Sequence, residues 1–191
     1  MSIPDTFKRI TTALDQAGVA YMLTGSFASA HYGAPRSTQD IDFVIEATAA
    51  QLRNFVEGLP SDEYYADLES ALDAQRRESL FNVIDLKTGW KIDLIFRKSR
   101  AFSREEFNRR QHAILQGLRL SVASAEDIIV AKLEWSKLSQ SNRQIEDAAA
   151  VLRLRGQELD RSYLDKWISE LGLNHQWSIA LRMAGSSETC G

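Results

Sequence analysis

The sequence predicts an α+β fold with a helical C-terminal half. Two observations carry this. Up to Val122, short apolar or alternating runs of strand length are interspersed with helical patterns. From Ser124 onward the apolar residues recur every three or four positions, segment after segment. The 191 residues suffice for one substantial core with a smaller second subdomain. The expected division is 1–123 and 124–184, followed by a tail, 185–191, that should fray.

Asp5 is placed to cap a first helix in which Phe7, Ile10, Thr11 and Leu14 form one buried face, with Gly18 to end it. Residues 19–24 read as a strand buried on both faces. Gly25 and Ser26 then turn into a small-residue helix ending at Gly33, and a loop bearing Arg36 and Thr38 leads to a strand that opens at Asp40. Thr48 caps a helix whose stripe is Leu52, Phe55, Val56 and Leu59, and Pro60 stops it. Residues 62–77 read as another helix, with Tyr65, Leu68 and Leu72 on one side. A hairpin follows, 80–86 and 90–96 around Lys87-Thr88-Gly89. Ser103 to Glu106 has the form of a capping box, and 114–122 of one strand with Gly117 at a turn or bulge. In the tail, Ser124 and Asp160 cap helices, Gly156 lies past the end of another, and Asn174 starts a fourth.

The chemistry concentrates between Tyr21 and Glu46. Side chains alternate faces along a strand, so Asp40 and Asp42 point one way while Ile41, Phe43 and Ile45 point the other. Two carboxylates so close repel unless a cation lies between them, and hard oxygen ligands favour Mg²⁺. Upstream, Gly25-Ser26 sits between a strand and a helix, where backbone N–H groups and a hydroxyl can meet a phosphate. In the second hairpin arm Asp93 stands in an otherwise apolar strand, where a carboxylate needs a partner.

The run G-S-x-A-x-x-x-x-G-x-x-R-x-T-x-D-I-D resembles the nucleotidyltransferase fold of the DNA polymerase β superfamily, and most of all the small bacterial nucleotidyltransferases of the abortive-infection toxin type. The resemblance covers 21–45 strongly, 81–96 moderately and 124–154 loosely. It implies a mixed sheet flanked by helices. It also implies that Asp40, Asp42 and Asp93 are the catalytic carboxylates and hold the metal, two Mg²⁺ ions with Mn²⁺ as a substitute. The third carboxylate comes from Lys91-Ile92-Asp93-Leu94. Gly25, Ser26, Arg36, Thr38 and Lys132 would bind the nucleotide, with Lys132 reaching the triphosphate from the first tail helix. Read from the residues alone, Ser26 is an ordinary N-cap, Arg36 pairs with Asp40, and Lys132 is a surface lysine.

The reaction so implied moves a nucleoside monophosphate from an NTP to a hydroxyl and releases pyrophosphate. The acceptor is open among the 3′ end of tRNA, a protein hydroxyl and a small molecule such as an aminoglycoside. Two other readings stand beside it. One is a nucleotide- or partner-binding module without catalysis, such as half of a toxin–antitoxin pair with an antitoxin partner. The other is a metal-dependent phosphodiesterase, disfavoured because His31, His112 and His175 are scattered. A net charge of −3 gives no global attraction to nucleic acid or anionic membrane. The single cysteine, Cys190, excludes an intrachain disulfide. The N-terminus lacks a signal peptide's apolar core and no run is long enough to span a bilayer, so a cytoplasmic protein is expected. Arg143 and Asp147, four apart, suit a helix-surface ion pair, and Tyr32 and Trp135 suit core or rim packing better than base stacking.

Overall fold

In a computed structural model, residues 3–33, 35 and 37–185 are described; Arg36 and, of the tail expected to fray, 186–191 with Cys190 lie outside them, while Gly185 is the last residue of a helix. The elements run α1 (Ile3–Gln16), β1 (Ala20–Thr24), α2 (Gly25–His31), β2 (Asp40–Glu46), α3 (Ala49–Gly58), β3 (Tyr64–Ala66), α4 (Leu68–Arg76), β4 (Leu80–Asp85), β5 (Lys91–Phe96), α5 (Ala101–Asn108), β6 (Gln111–Leu115) and β7 (Leu118–Val122). The helices α6 (Ala125–Ser139), α7 (Asn142–Arg155), α8 (Arg161–Glu170) and α9 (Asn174–Gly185) complete the chain. Contacts divide it into two compact units, Met1–Phe27 with Ser37–Ala123, and Ala28–Arg36 with Ser124–Gly191.

The first unit is built on a mixed seven-stranded sheet of order β3-β4-β5-β2-β1-β7-β6. β2 pairs antiparallel with β1 and parallel with β5, and β1 pairs parallel with β7, so two connections cross over and helices cover a sheet face. That face carries Ile41, Phe43 and Ile45 of β2 and Ile92, Leu94 and Phe96 of β5, all buried with Phe7, Ile10 and Leu14 of α1 and Leu52 and Phe55 of α3. The Phe7 ring meets Phe43 edge-on at 6.2 Å and Phe27 at 4.9 Å. Thr48 and Gln51 cap α3 reciprocally: the Gln51 N–H donates to the Thr48 hydroxyl and the Thr48 N–H to the Gln51 side chain, at 3.3 and 2.8 Å.

One buried carboxylate organises the β4–β5 turn. Asp85, fully buried, accepts the N–H groups of Lys87 and Thr88 at 3.0 and 3.2 Å, the Thr6 hydroxyl at 3.2 Å and the Arg9 guanidinium. A buried charge persists only with such compensation, so this cluster pins α1 to the hairpin.

In the second unit α6 to α9 bury Ile129, Val130, Leu133, Ile145, Ala148, Leu152, Leu164 and Trp167. Ser124 caps α6 by accepting the Asp127 N–H at 3.2 Å, and Asp160 caps α8 by accepting that of Tyr163 at 3.0 Å. No helix among the described residues is long and apolar enough to cross a membrane.

Several local expectations are corrected. Residues 62–77 are not one helix. Tyr64–Ala66 pairs antiparallel with β4, putting Tyr64 inside and Tyr65 outside, and Asp67 then caps α4. Pairing with the hairpin overrides the local helical spacing. Asp5 lies inside the first turn of α1, not at its cap. α5 starts before Ser103, which is buried inside the helix and accepts a hydrogen bond from Arg100 Nε at 3.0 Å. The single strand expected over 114–122 is two, β6 and β7, joined at Gln116 and Gly117 with φ of 52° and 79°. Positive φ at both positions marks the tight primed turn that matches strand twist. β1 is buried at Met22 and Leu23 but only partly at Ala20 and Tyr21.

Candidate active site

Strand register brings the aspartates together. In the parallel β2–β5 pair, Asp40 lies beside Lys91 and Asp42 beside Asp93, so all four side chains share the sheet face opposite the one that carries Phe43. Neighbouring strands lie about 4.8 Å apart, so Asp42 and Asp93 are direct neighbours. On the far side of β5, Asn82 of β4 is in register with Asp93 and donates its amide N–H to that carboxylate.

Among the described residues, Lys91 brings positive charge to this cluster. Its ammonium stands 3.1 Å from Asp93 and 3.4 Å from Asp40, bridging them. Burial works against the Lys91 charge, but the hydrogen bond and charge of Asp93, then those of Asp40, outweigh it and hold the pKa above the ordinary lysine value. Asp93 is the more enclosed carboxylate, its side chain 14% exposed against 49% for Asp40. Neither Lys91 nor Asn82 was singled out from sequence as part of the site. The signal was present, because Lys91 shares a strand face with Asp93 and Asn82 alternates with the buried Phe81 and Val83.

Gly25 opens α2 with φ of +65°, a conformation that glycine adopts without strain. A Cβ there would lie 2.0 Å from Asp42 Oδ2 and 2.7 Å from its Cγ. The Asp42 carboxylate is therefore packed directly on the Gly25 backbone. Ser26, buried, follows as the second residue of α2, inside the helix and not at its cap. Thr38 ties down the entry to β2, its hydroxyl accepting the Asp40 N–H at 3.2 Å.

Lys132 is placed in the second unit. It is not the surface lysine that its sequence reading allows: it is buried and bonded to Asp147 at 2.7 Å. Asp147 thus takes an ion partner on α6, where the sequence suggested Arg143 on its own helix. Trp135, half-exposed, packs in no core.

As a metal site, the donor set is of the right kind: three carboxylates on one face, offering hard oxygen ligands that suit Mg²⁺ or Mn²⁺. Among the described residues, no three acidic, histidine or cysteine side chains already form a cage for an ion. The Lys91 ammonium offsets charge on Asp40 and Asp93.

No family model and no curated protein matches the chain. Solved structures do. The antibiotic-resistance factor ANT(2'')-Ia superposes with a TM-score of 0.53 at 11% identity, over 88% of this chain and 90% of that one. An antigenic nucleotidyltransferase-like protein from Paracoccidioides brasiliensis gives 0.45 at 17% identity, over 91% and 90%. JHP933 from Helicobacter pylori gives 0.42 at 16%, over 99% and 97%. Identities this low speak to the fold and not to the reaction. The chain has the nucleotidyltransferase fold.

Proposed function

We propose that the protein transfers a nucleoside monophosphate from an NTP to an acceptor hydroxyl, with Mg²⁺ as cofactor. The observation that carries this is the register of Asp42 beside Asp93, with the Asp42 carboxylate seated on Gly25. It joins the strand carboxylates to the Gly-Ser segment, where the triphosphate would lie.

In this reading the acceptor oxygen attacks the α-phosphorus, a new P–O bond forms, the bond to the bridging oxygen breaks, and pyrophosphate leaves. Asp93 takes the proton from the acceptor hydroxyl. Asn82, bonded to Asp93, fixes which way that carboxylate faces. Gly25 and Ser26 hold the triphosphate through backbone N–H groups. Asp40, Asp42 and Asp93 would hold Mg²⁺, which when bound lowers the acceptor pKa and neutralises charge on the departing pyrophosphate. Lys91 balances the carboxylates' charge when the nucleotide is absent.

The test is titration calorimetry with each NTP, with and without Mg²⁺, on the wild type and on Asp40→Ala/Asp42→Ala. Metal-dependent binding that the double variant loses supports the reading. Absence of binding under every condition refutes it.

A further inference from the structure

A second cleft in the sheet-bearing unit belongs to no part of the aspartate site. It arises from strand pairing. β1 runs in register with β2 at five positions and β6 with β7 at five, but β1 and β7 meet only at Leu23 and Val122. The two strands open a cleft of about 350 Å³ before that point, lined by Asp15, Tyr21, Arg110, His112, Arg119 and Ser121 among others. That volume falls within the ordinary range for small-molecule sites.

The lining is not a random solvated face. Arg119 and Ser121 alternate on β7 and so share one sheet face, and His112 lies directly opposite Ser121 on β6. Arg110 is held in place, donating to the Phe107 carbonyl and lying over the Phe107 ring at 4.3 Å. That bond uses one of the five guanidinium N–H donors, leaving a preorganised fork. Burial, then the charge of Asp15, pushes the Tyr21 hydroxyl up to about 12. Two permanent cations, a histidine and two hydroxyls thus line the cleft together with one carboxylate, Tyr21 entering from the face of β1 that packs on Phe43 and Arg119, Ser121 and His112 from the other. This pattern suits a ligand with an anionic phosphate head and a hydroxylated body.

We propose that the cleft binds a phosphate ester, the phosphate held by Arg110, Arg119 and His112 and a ligand hydroxyl donating to Asp15. Arg–phosphate forks give geometric specificity as well as charge. The phosphate could belong to a free sugar phosphate or to a nucleic acid strand.

The experiment is calorimetry in Mg²⁺-free buffer with ribose 5-phosphate, ribose and a short single-stranded RNA. The proteins are the wild type, Arg119→Ala, Ser121→Ala and Asp42→Ala. Saturable binding of ribose 5-phosphate but not ribose is expected, weakened about 10-fold or more by Arg119→Ala, since charged hydrogen bonds contribute about 1.5–3 kcal/mol. Asp42→Ala should bind as the wild type does. Tighter binding of RNA, displaced by ribose 5-phosphate and dependent on Arg119, assigns the phosphate to a strand; RNA no tighter than the ester assigns it to a free ester. Arg119 is exposed, so Arg119→Ala should keep the wild-type thermal midpoint, which separates lost binding from lost folding. Absence of ester and RNA binding, binding indifferent to Arg119, or loss of binding in Asp42→Ala overturns the proposal.

Discussion

Gly25→Ala tests the link between the Gly-Ser segment and the aspartates. The new methyl would stand 2.0 Å from Asp42 Oδ2, 2.7 Å from Cγ and 2.9 Å from Cβ, all shorter than side chains tolerate. Alanine must also adopt φ of +65° or rotate the start of α2. A non-glycine residue held in that region costs about 1–3 kcal/mol. At about 2–4 °C per kcal/mol for a chain of this size, the thermal midpoint should fall by roughly 2–12 °C. Asp42 is the more mobile partner, so its carboxylate should swing away from Asp93. Mg²⁺ demands oxygen ligands at about 2.0–2.1 Å in near-ideal octahedral geometry, so a carboxylate displaced by about 1 Å no longer serves as a ligand. Calorimetry should therefore show metal-dependent NTP binding weakened far beyond what the midpoint shift implies. In an Asp42→Ala background the contacts to Oδ2 and Cγ vanish and only the Cβ contact and the φ strain persist. There, Gly25→Ala should destabilise less than it does in the wild type. Equal destabilisation in both backgrounds, or wild-type NTP binding by Gly25→Ala, would refute the reasoning.

Asp85→Ala should lower stability by about 3–5 kcal/mol in chemical denaturation, because it strands the Arg9 charge and the N–H groups of Lys87 and Thr88; a loss below 1 kcal/mol would mean water replaces the carboxylate freely. Lys132 and Asp147 side chains are only 7% and 12% exposed, so Lys132→Ala should cost about 3–5 kcal/mol, and Lys132→Met/Asp147→Leu should recover most of it; additive losses would show that the pair is not coupled. Burial, then the charge of Arg155, lowers the His31 pKa, so below pH 6.5 the unfolded chain binds the proton that the folded chain refuses. Stability should accordingly fall as pH drops below 6.5, and His31→Gln should flatten that part of a midpoint-versus-pH profile; an unchanged slope would assign the effect to other groups.

The legible parts of this molecule are those set by neighbours in sequence. Alternation alone put Asp40 and Asp42 on one face and Ile41, Phe43 and Ile45 on the other, because a strand's side-chain period does not depend on its partners. The caps at Thr48, Ser124 and Asp160 were readable for the same reason. Whatever depends on which strands meet was not. Tyr64 and Tyr65 read as helical from their local spacing because only the arrival of β4 makes them a strand. Lys132 stands in a run, Ile-Ile-Val-Ala-Lys-Leu, that is apolar on every side of a helix, and that is the signal for burial; its partner Asp147 lies on a different helix, where spacing within α7 could only suggest Arg143. The site shows the same division most sharply. Three aspartates could be picked out individually, but the β2–β5 register joins residues about fifty positions apart and decides that Asp42 faces Asp93 while Asp40 faces Lys91. Sliding that register by one residue would turn one strand's aspartates to the other face. The apolar set of β2 and β5 holds the register, since any slip would expose Phe43 or Leu94. The hydrophobic core thereby fixes the geometry of the carboxylates on the opposite face of the sheet.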